Sequence, residues 1–181
     1  MRRLLFLFAF LNISLFGYEY DELTLKAQSA IFPKLLLLDQ DISQKLINQE
    51  IVFSIVCEDD DKRSAIKIKN LIEKQFRGKI GKYRLKVIIQ SFEDVENQKP
   101  TATAYYILNT EYMKMQKVSY VGMDNNLILF SYDKNYFQNG VLISLAIKGT
   151  TVIYLNKEIL KSYNINFLDA FYQIVKFEDG R

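Results

Sequence analysis

Four carboxylates stand in series at Glu58, Asp59, Asp60 and Asp61, directly after the apolar run IVFSIVC. Such a run could hold a divalent cation. A calcium loop, however, needs alternating ligands and a central glycine, and both are missing here. The acids stand where a helix is expected to begin, and a helix N-terminus favours negative charge. The sequence contains no histidine, which excludes Ser-His-Asp and Cys-His nucleophile systems and imidazole metal sites. Cys57 is the one cysteine, so neither an internal disulfide nor a CxxC redox pair can form. It closes a strand-like run and is expected to be a buried, inert thiol. The stretch GKIGKY from Gly78 lacks the spacing of a nucleotide loop. No catalytic residue, cofactor site or metal site is therefore expected, and the chain is read as a non-enzyme.

From Lys62 to Lys86 there are ten Lys or Arg against one acid, Glu73. This segment is expected to form a solvated helix face and loop, with anionic lipid or an acidic partner as the alternative. Nucleic acid is not an expected partner. Arg2 and Arg3 precede the apolar stretch LLFLFAFLNISLF, then Gly17, then the polar YEYDE, which is the order of a secretory signal peptide. The stretch is too short to cross a bilayer comfortably. Cleavage is expected after Gly17, although Leu15 fits the −3 position less well than alanine. An uncleaved anchor is the alternative. No cysteine follows the stretch, so a lipid anchor is not expected. Loss of residues 1–17 removes two of 24 Lys and Arg against 21 Asp and Glu, leaving a nearly neutral mature chain. A periplasmic location follows as the expectation.

Hydrophobic residues make up 49% of the 181, enough for the core of one domain over residues 18–181. Asp21 is expected to cap a first helix with Leu23, Ala27, Ala30 and Ile31 inward, ended or kinked by Pro33. Strands are expected at Ile51–Cys57, Tyr83–Ile89, Ala102–Leu108 and Leu127–Tyr132. Between them come helices reaching Phe76, at Phe92–Asn97 and at Thr110–Lys117, with Lys99-Pro100 in a loop. In the first of these linking segments, Ala65, Ile68, Ile72 and Phe76 form one stripe, with Arg63, Lys67, Lys74 and Arg77 opposite. Val141–Ile147 and Thr151–Leu155 flank Lys148-Gly149-Thr150 as an antiparallel hairpin. Helices follow at Lys157–Lys161 and Asn166–Lys176. The alternation predicts an α/β three-layer sandwich, with a mostly parallel sheet and a C-terminal antiparallel hairpin.

The stretch NNLILFSYDKNYFQNGVLISLAIKGTTVIYLNKEILKSYNINFLDAFYQIVKF, residues 125–177, resembles the YfiR-like periplasmic family. It has that family's strand at Leu127–Tyr132, its Phe137 and Gly140, its strand pair, its Leu155-Asn156 opening a helix, and its helical tail. ATAYYIL and KAQSAIF resemble earlier elements of the same scaffold. The resemblance implies a periplasmic regulator that binds the periplasmic part of an inner-membrane diguanylate cyclase or similar signalling protein, and a homodimer. The paired cysteines of some members are missing, which puts redox gating in doubt. The family also resembles one lobe of solute-binding proteins, so small-molecule binding is the alternative. Open parallel sheets bind ligands beyond the carboxyl ends of their strands. Here that edge holds Cys57 to Asp59 and Asn109-Thr110. The apolar set Phe167, Leu168, Phe171, Tyr172 and Val175 is a further ground for the homodimer.

Overall fold

The computed structural model describes residues 18–97 and 100–180, so the signal-peptide stretch and Lys99 lie outside the described residues. The chain forms an α/β sandwich around one sheet of eight strands. In chain order these are β1 (Glu50–Val56), β2 (Lys79–Ile80), β3 (Tyr83–Gln90), β4 (Ala104–Ile107), β5 (Ile128–Ser131), β6 (Ile143–Lys148), β7 (Thr150–Asn156) and β8 (Val175–Glu178). The helices are α1 (Glu22–Leu35), α2 (Lys62–Phe76), α3 (Phe92–Asn97), α4 (Tyr112–Asp124), α5 (Lys157–Ser162) and α6 (Asp169–Ile174). Across the sheet the order is β2-β3-β1-β4-β5-β6-β7-β8. β3, β1, β4, β5 and β6 run parallel, while β6 and β7 form the antiparallel hairpin around Gly149.

The central strands are apolar on both faces because helices cover both. On one side Phe53, Ile55, Tyr106 and Phe130 pack against Leu25 and Phe32 of α1 and Ala65, Ile68 and Ile72 of α2. On the other, Val52, Val56, Tyr105, Ile107 and Leu129 meet Phe92 and Val95 of α3 and Met115 and Val118 of α4. Alternate residues of a strand point to opposite faces, so an unbroken apolar run is what a doubly covered strand requires. Phe32 stacks on Phe130 at 4.6 Å and meets the edge of Tyr106 at 5.2 Å.

Several local expectations need correction. Asp21 does cap α1, its carboxylate accepting from the Thr24 N–H at 2.6 Å. The buried face of α1 is instead Leu25, Gln28, Ser29, Phe32 and Leu35, and Leu23 is 64% exposed. Gln28 hides this stripe because it is polar, yet every group on its amide is used. Its Nε2 donates to the carbonyls of Tyr132 (2.9 Å) and Leu145 (2.8 Å), and its Oε1 accepts from the Tyr106 hydroxyl. A buried amide so satisfied carries no large desolvation penalty. Pro33 does not end the helix; it lies in its last turn, which tightens into a 3₁₀ segment at Leu36–Leu38. α4 starts later and runs longer than expected. GKIGKY is a hairpin: Ile80 pairs with Tyr83 around Gly81, whose φ of +54° suits glycine.

The expected helix Asn166–Lys176 is limited to α6, and the chain then turns into β8, parallel to β7. Val175 and Phe177 alternate with Lys176 and Glu178, a period of two that the helical reading passed over. Phe167 and Phe171 are buried in the core of the same chain, so most of the apolar set offered as a ground for self-association is already covered.

Gly122 of α4 faces Leu129 so closely that an added Cβ would lie 2.7 Å from its side chain. Leu129 is fully buried and has no room to yield. Gly122→Ala is expected to cost about 2 kcal/mol through overpacking. A lowered urea midpoint at unchanged m-value would show this, and an unchanged midpoint would refute it.

Candidate binding cleft

The chain leaves β1 toward β3 through α2, and leaves β4 in the opposite direction, toward β5, through α4. Two neighbouring parallel strands whose connections diverge leave a crevice beyond their carboxyl ends. The crevice here is an open cleft of about 570 Å³, lined by Tyr18, Glu58 to Asp61, Asn109, Thr110, Glu111 and Lys114. A second hollow of about 320 Å³ shares Tyr18 and Asn109 and adds Tyr112, Asp133 and Tyr136.

The walls are tied together by their own polar groups. Glu58 accepts from the Thr110 hydroxyl at 2.7 Å and from the Lys114 ammonium at 2.8 and 2.9 Å. This joins the segment after β1 to the first turn of α4. Lys114 is held in its charged form by that carboxylate, its pKa raised first by the Glu58 hydrogen bond. It is therefore a cation and no nucleophile. Asp59 pairs with Lys62 at 2.9 Å. The Tyr136 hydroxyl donates to Asn109 Oδ1 and accepts from the Thr110 N–H at 3.0 Å, fixing the loop after β4. The acids Asp59 to Asp61 form one 3₁₀ turn immediately before α2, where they offset its dipole.

The N-terminal segment closes one side. The Tyr20 hydroxyl donates to Asp61 Oδ2 at 2.5 Å and accepts from the Asn109 N–H at 2.9 Å. The Asp21 N–H donates to the Tyr132 hydroxyl at 2.8 Å. The rings of Tyr18, Tyr20 and Tyr132 meet edge to face at 4.7 to 5.9 Å. Asp61 is almost fully buried, and burial first of all raises its carboxyl pKa. The Tyr20 phenol is raised far beyond its ordinary value, again chiefly by burial.

The structure brings together the two edge segments expected from the strand order, Cys57 to Asp59 and Asn109-Thr110. Tyr18, Tyr20, Glu111, Lys114 and Tyr136 also belong to the site and were missed. Lys114 was signalled only by its spacing of four from Thr110 across a helix start. Tyr18 and Tyr20 stand just after a presumed leader, where no structure was assigned. Among the described residues, no group of three or more His, Cys, Asp or Glu is placed to hold a metal ion.

Cys57 is 3% exposed. Burial, and then the nearby charge of Asp61, pushes its thiol up to about 11. The native chain should react with iodoacetamide at pH 8 about 100-fold more slowly than the unfolded chain, because the thiolate is that much rarer. Equal rates would contradict this. The raised folded value also means that this thiol's contribution to stability is lost as pH rises from the ordinary thiol range through about 11.

The basic segment lies on α2 and the β2–β3 hairpin. Several of its cations are locally paired: Lys67 with Glu22 at 3.4 Å, Lys69 with Glu73 at 3.7 Å and Arg84 with Glu50 at 3.3 Å. Such exposed pairs contribute little individually. The hairpin lies at the end of the sheet away from the cleft.

No family model matches the chain, and no curated protein matches it in sequence. Solved structures share its fold. A conserved domain protein from Vibrio cholerae O1 biovar El Tor superposes with a TM-score of 0.59 at 10% identity, over 84% of this chain and 59% of that one. A ligand-free, open substrate-binding protein with adhesive properties from Clostridium difficile gives 0.58 at 11%, over 82% and 60%. The ABC domain in complex with L-Trp from Streptococcus pneumonia gives 0.53 at 12%, over 77% and 58%. The chain thus spans about three fifths of the length of these structures. Among the described residues no helix is long and apolar enough to cross a membrane. At these identities the likeness establishes the α/β fold: a mixed, mostly parallel sheet with helices on both faces and antiparallel strands toward its C-terminal end.

Proposed function

We propose that this chain is exported to the periplasm by cleavage after Gly17 and acts there without catalysis, as a binding module that modulates an inner-membrane signalling protein. The resemblance to the YfiR-like family makes a diguanylate cyclase the expected class of partner. The observation that carries the reading is the openness of the cleft. Small-molecule sites enclose most of their ligand, whereas this cleft is open on its outer side, which leaves room for the periplasmic surface of another protein. Glu58 and Lys114 hold one another, with Thr110 also donating to Glu58, which gives a defined surface there rather than an activated group. Regulation then amounts to binding one conformation of the partner better than the other.

Deletion of the gene, followed by measurement of cyclic di-GMP, tests this. A change restored by the wild-type gene is expected. An unchanged level, with no membrane protein recovered by crosslinking, contradicts it. The second reading, capture of a small solute, is favoured by the position of the cleft at a strand-order switch and by its volume. Two of the structures sharing the fold are a substrate-binding protein and a domain holding L-Trp. A specific solute raising the melting temperature by several degrees would favour it. For a homodimer, the exposed Leu168, Ile174 and Phe177 remain as its surface, and light scattering reads its mass directly.

A further inference from the structure

The carboxylate of Asp61 is in an unusual position for an acid. It is 5% exposed, and no Lys or Arg among the described residues pairs with it. Its hydrogen-bond donor is neutral, the Tyr20 hydroxyl at 2.5 Å, and the backbone N–H of Tyr18, which lines the same cleft, also faces it. Its surroundings add negative charge, from Asp60 and Glu58 on its own turn. The nearby cations are engaged elsewhere, Lys62 by Asp59 and Lys114 by Glu58. The Cys57 thiol and the Tyr20 and Tyr136 phenols, the other titratable groups that face it, are neutral at pH 7. A buried carboxylate without a cation is costly.

Tyr18 is the residue that would follow the expected cleavage. In the uncut chain its nitrogen is a neutral amide. Hydrolysis of the Gly17–Tyr18 bond adds water, gives Gly17 a carboxylate and leaves Tyr18 with an amine that is protonated at neutral pH. The nitrogen that faces Asp61 across the cleft lining thereby becomes a cation.

We propose that signal-peptide cleavage completes the cleft: the new α-ammonium of Tyr18 forms an ion pair with the buried carboxylate of Asp61 and locks the Tyr18–Tyr20 segment against the strand ends. This rests on the export reading above and on cleavage after Gly17. The segment is a wall of the cleft, since Tyr18 lines both hollows and Tyr20 also holds Asn109. The precursor therefore carries a looser cleft than the exported chain, and the partner surface is finished only in the compartment where the partner is present.

The test compares two purified chains, residues 18–181 with a free Tyr18 amine and residues 17–181, in which Gly17 turns that nitrogen back into an amide. The shorter chain is expected to melt about 3–6 °C higher at pH 7. An ammonium stabilised by its partner has a raised pKa, so the advantage is lost as pH rises from about 8 through the folded value, disappearing by about pH 10. It is also lost at the acid end, as Asp61, whose pKa burial raises, is protonated. Asp61→Asn keeps an acceptor for Tyr20, removes the charge, and should abolish the difference. Equal melting of the two chains at pH 7, or a difference that survives Asp61→Asn, overturns the proposal and leaves the export reading intact. Mass spectrometry of the chain recovered from the periplasm separates the two. A first residue of Tyr18 is expected. Any other first residue, or an uncut chain, removes the cleavage on which both statements depend.

Discussion

Asn156→Ala is expected to lower the melting temperature by roughly 10 °C, more than any substitution at the surface of the cleft. Asn156 is fully buried between β7 and α5. Its Nδ2 donates to the carbonyls of Phe137 at 2.9 Å and Val141 at 3.1 Å. Its Oδ1 accepts from the N–H groups of Glu158 at 3.1 Å and Ile159 at 3.2 Å, capping α5. Alanine removes the cap, which costs about 1 kcal/mol. It also leaves two carbonyls without this donor, at about 1–3 kcal/mol each where water cannot replace it. These terms sum to about 3–7 kcal/mol, and because the Phe137 carbonyl keeps the Gly140 N–H at 3.2 Å the lower part, about 3–5 kcal/mol, is expected. Asn156→Asp separates the contributions. It keeps the cap acceptor but faces two carbonyls with a carboxylate, so that variant should regain stability as pH falls and the new group is protonated. Thermal melts across pH would show it. A loss below about 1 kcal/mol for Asn156→Ala would mean that water substitutes at this position.

Reversing the charge at Asp59 and Asp60 together is expected to have the largest effect on function while leaving the fold intact. Both residues are exposed on the cleft, and neither contributes to the core. Lys62 loses its exposed pair with Asp59, which costs little. A partner that reads the acidic rim, by contrast, meets repulsion where it had attraction, and like charges placed across an interface cost several kcal/mol. If the proposed membrane partner binds here, its binding should weaken by at least about tenfold, each factor of ten being 1.4 kcal/mol. The melting temperature should move by no more than about 2 °C. Failure of the double variant to complement the deletion, at normal periplasmic abundance, is the expected cellular result. Full complementation would place the recognition surface elsewhere.

Much of the scaffold was legible in the sequence because local and tertiary requirements agree there. The stripe Ala65, Ile68, Ile72 falls on α2 as read, and β1 and the β6–β7 hairpin follow their apolar runs and the glycine turn. The strand-end segments Cys57–Asp59 and Asn109-Thr110 are correctly placed for the same reason, since strand order fixes where a crevice opens. The failures occur where tertiary contacts override local pattern. Gln28 reads as a surface residue, but three partners, on β4, on β6 and directly after β5, make it a core residue. The tail after Ile174 is a different case: its four residues alternate with period two, too short a run to stand out after α6, and pairing with the open edge of β7 makes them a strand. Tyr18 and Tyr20 had no periodicity to signal them. Their place depends on Asp61 and Asn109, which are far away in sequence.

The central claim is that the open cleft at the carboxyl ends of β1 and β4 is where this chain meets a membrane protein. Photocrosslinking in intact cells tests it most directly. A photoreactive residue at Glu111, in the cleft, is compared with one at Lys82, in the exposed turn at the opposite end of the sheet. A discrete adduct with an inner-membrane protein is expected from position 111 and none from position 82, with loss of that adduct when Asp59 and Asp60 are reversed. An adduct from position 82 alone, or none from either position at normal abundance, would contradict it.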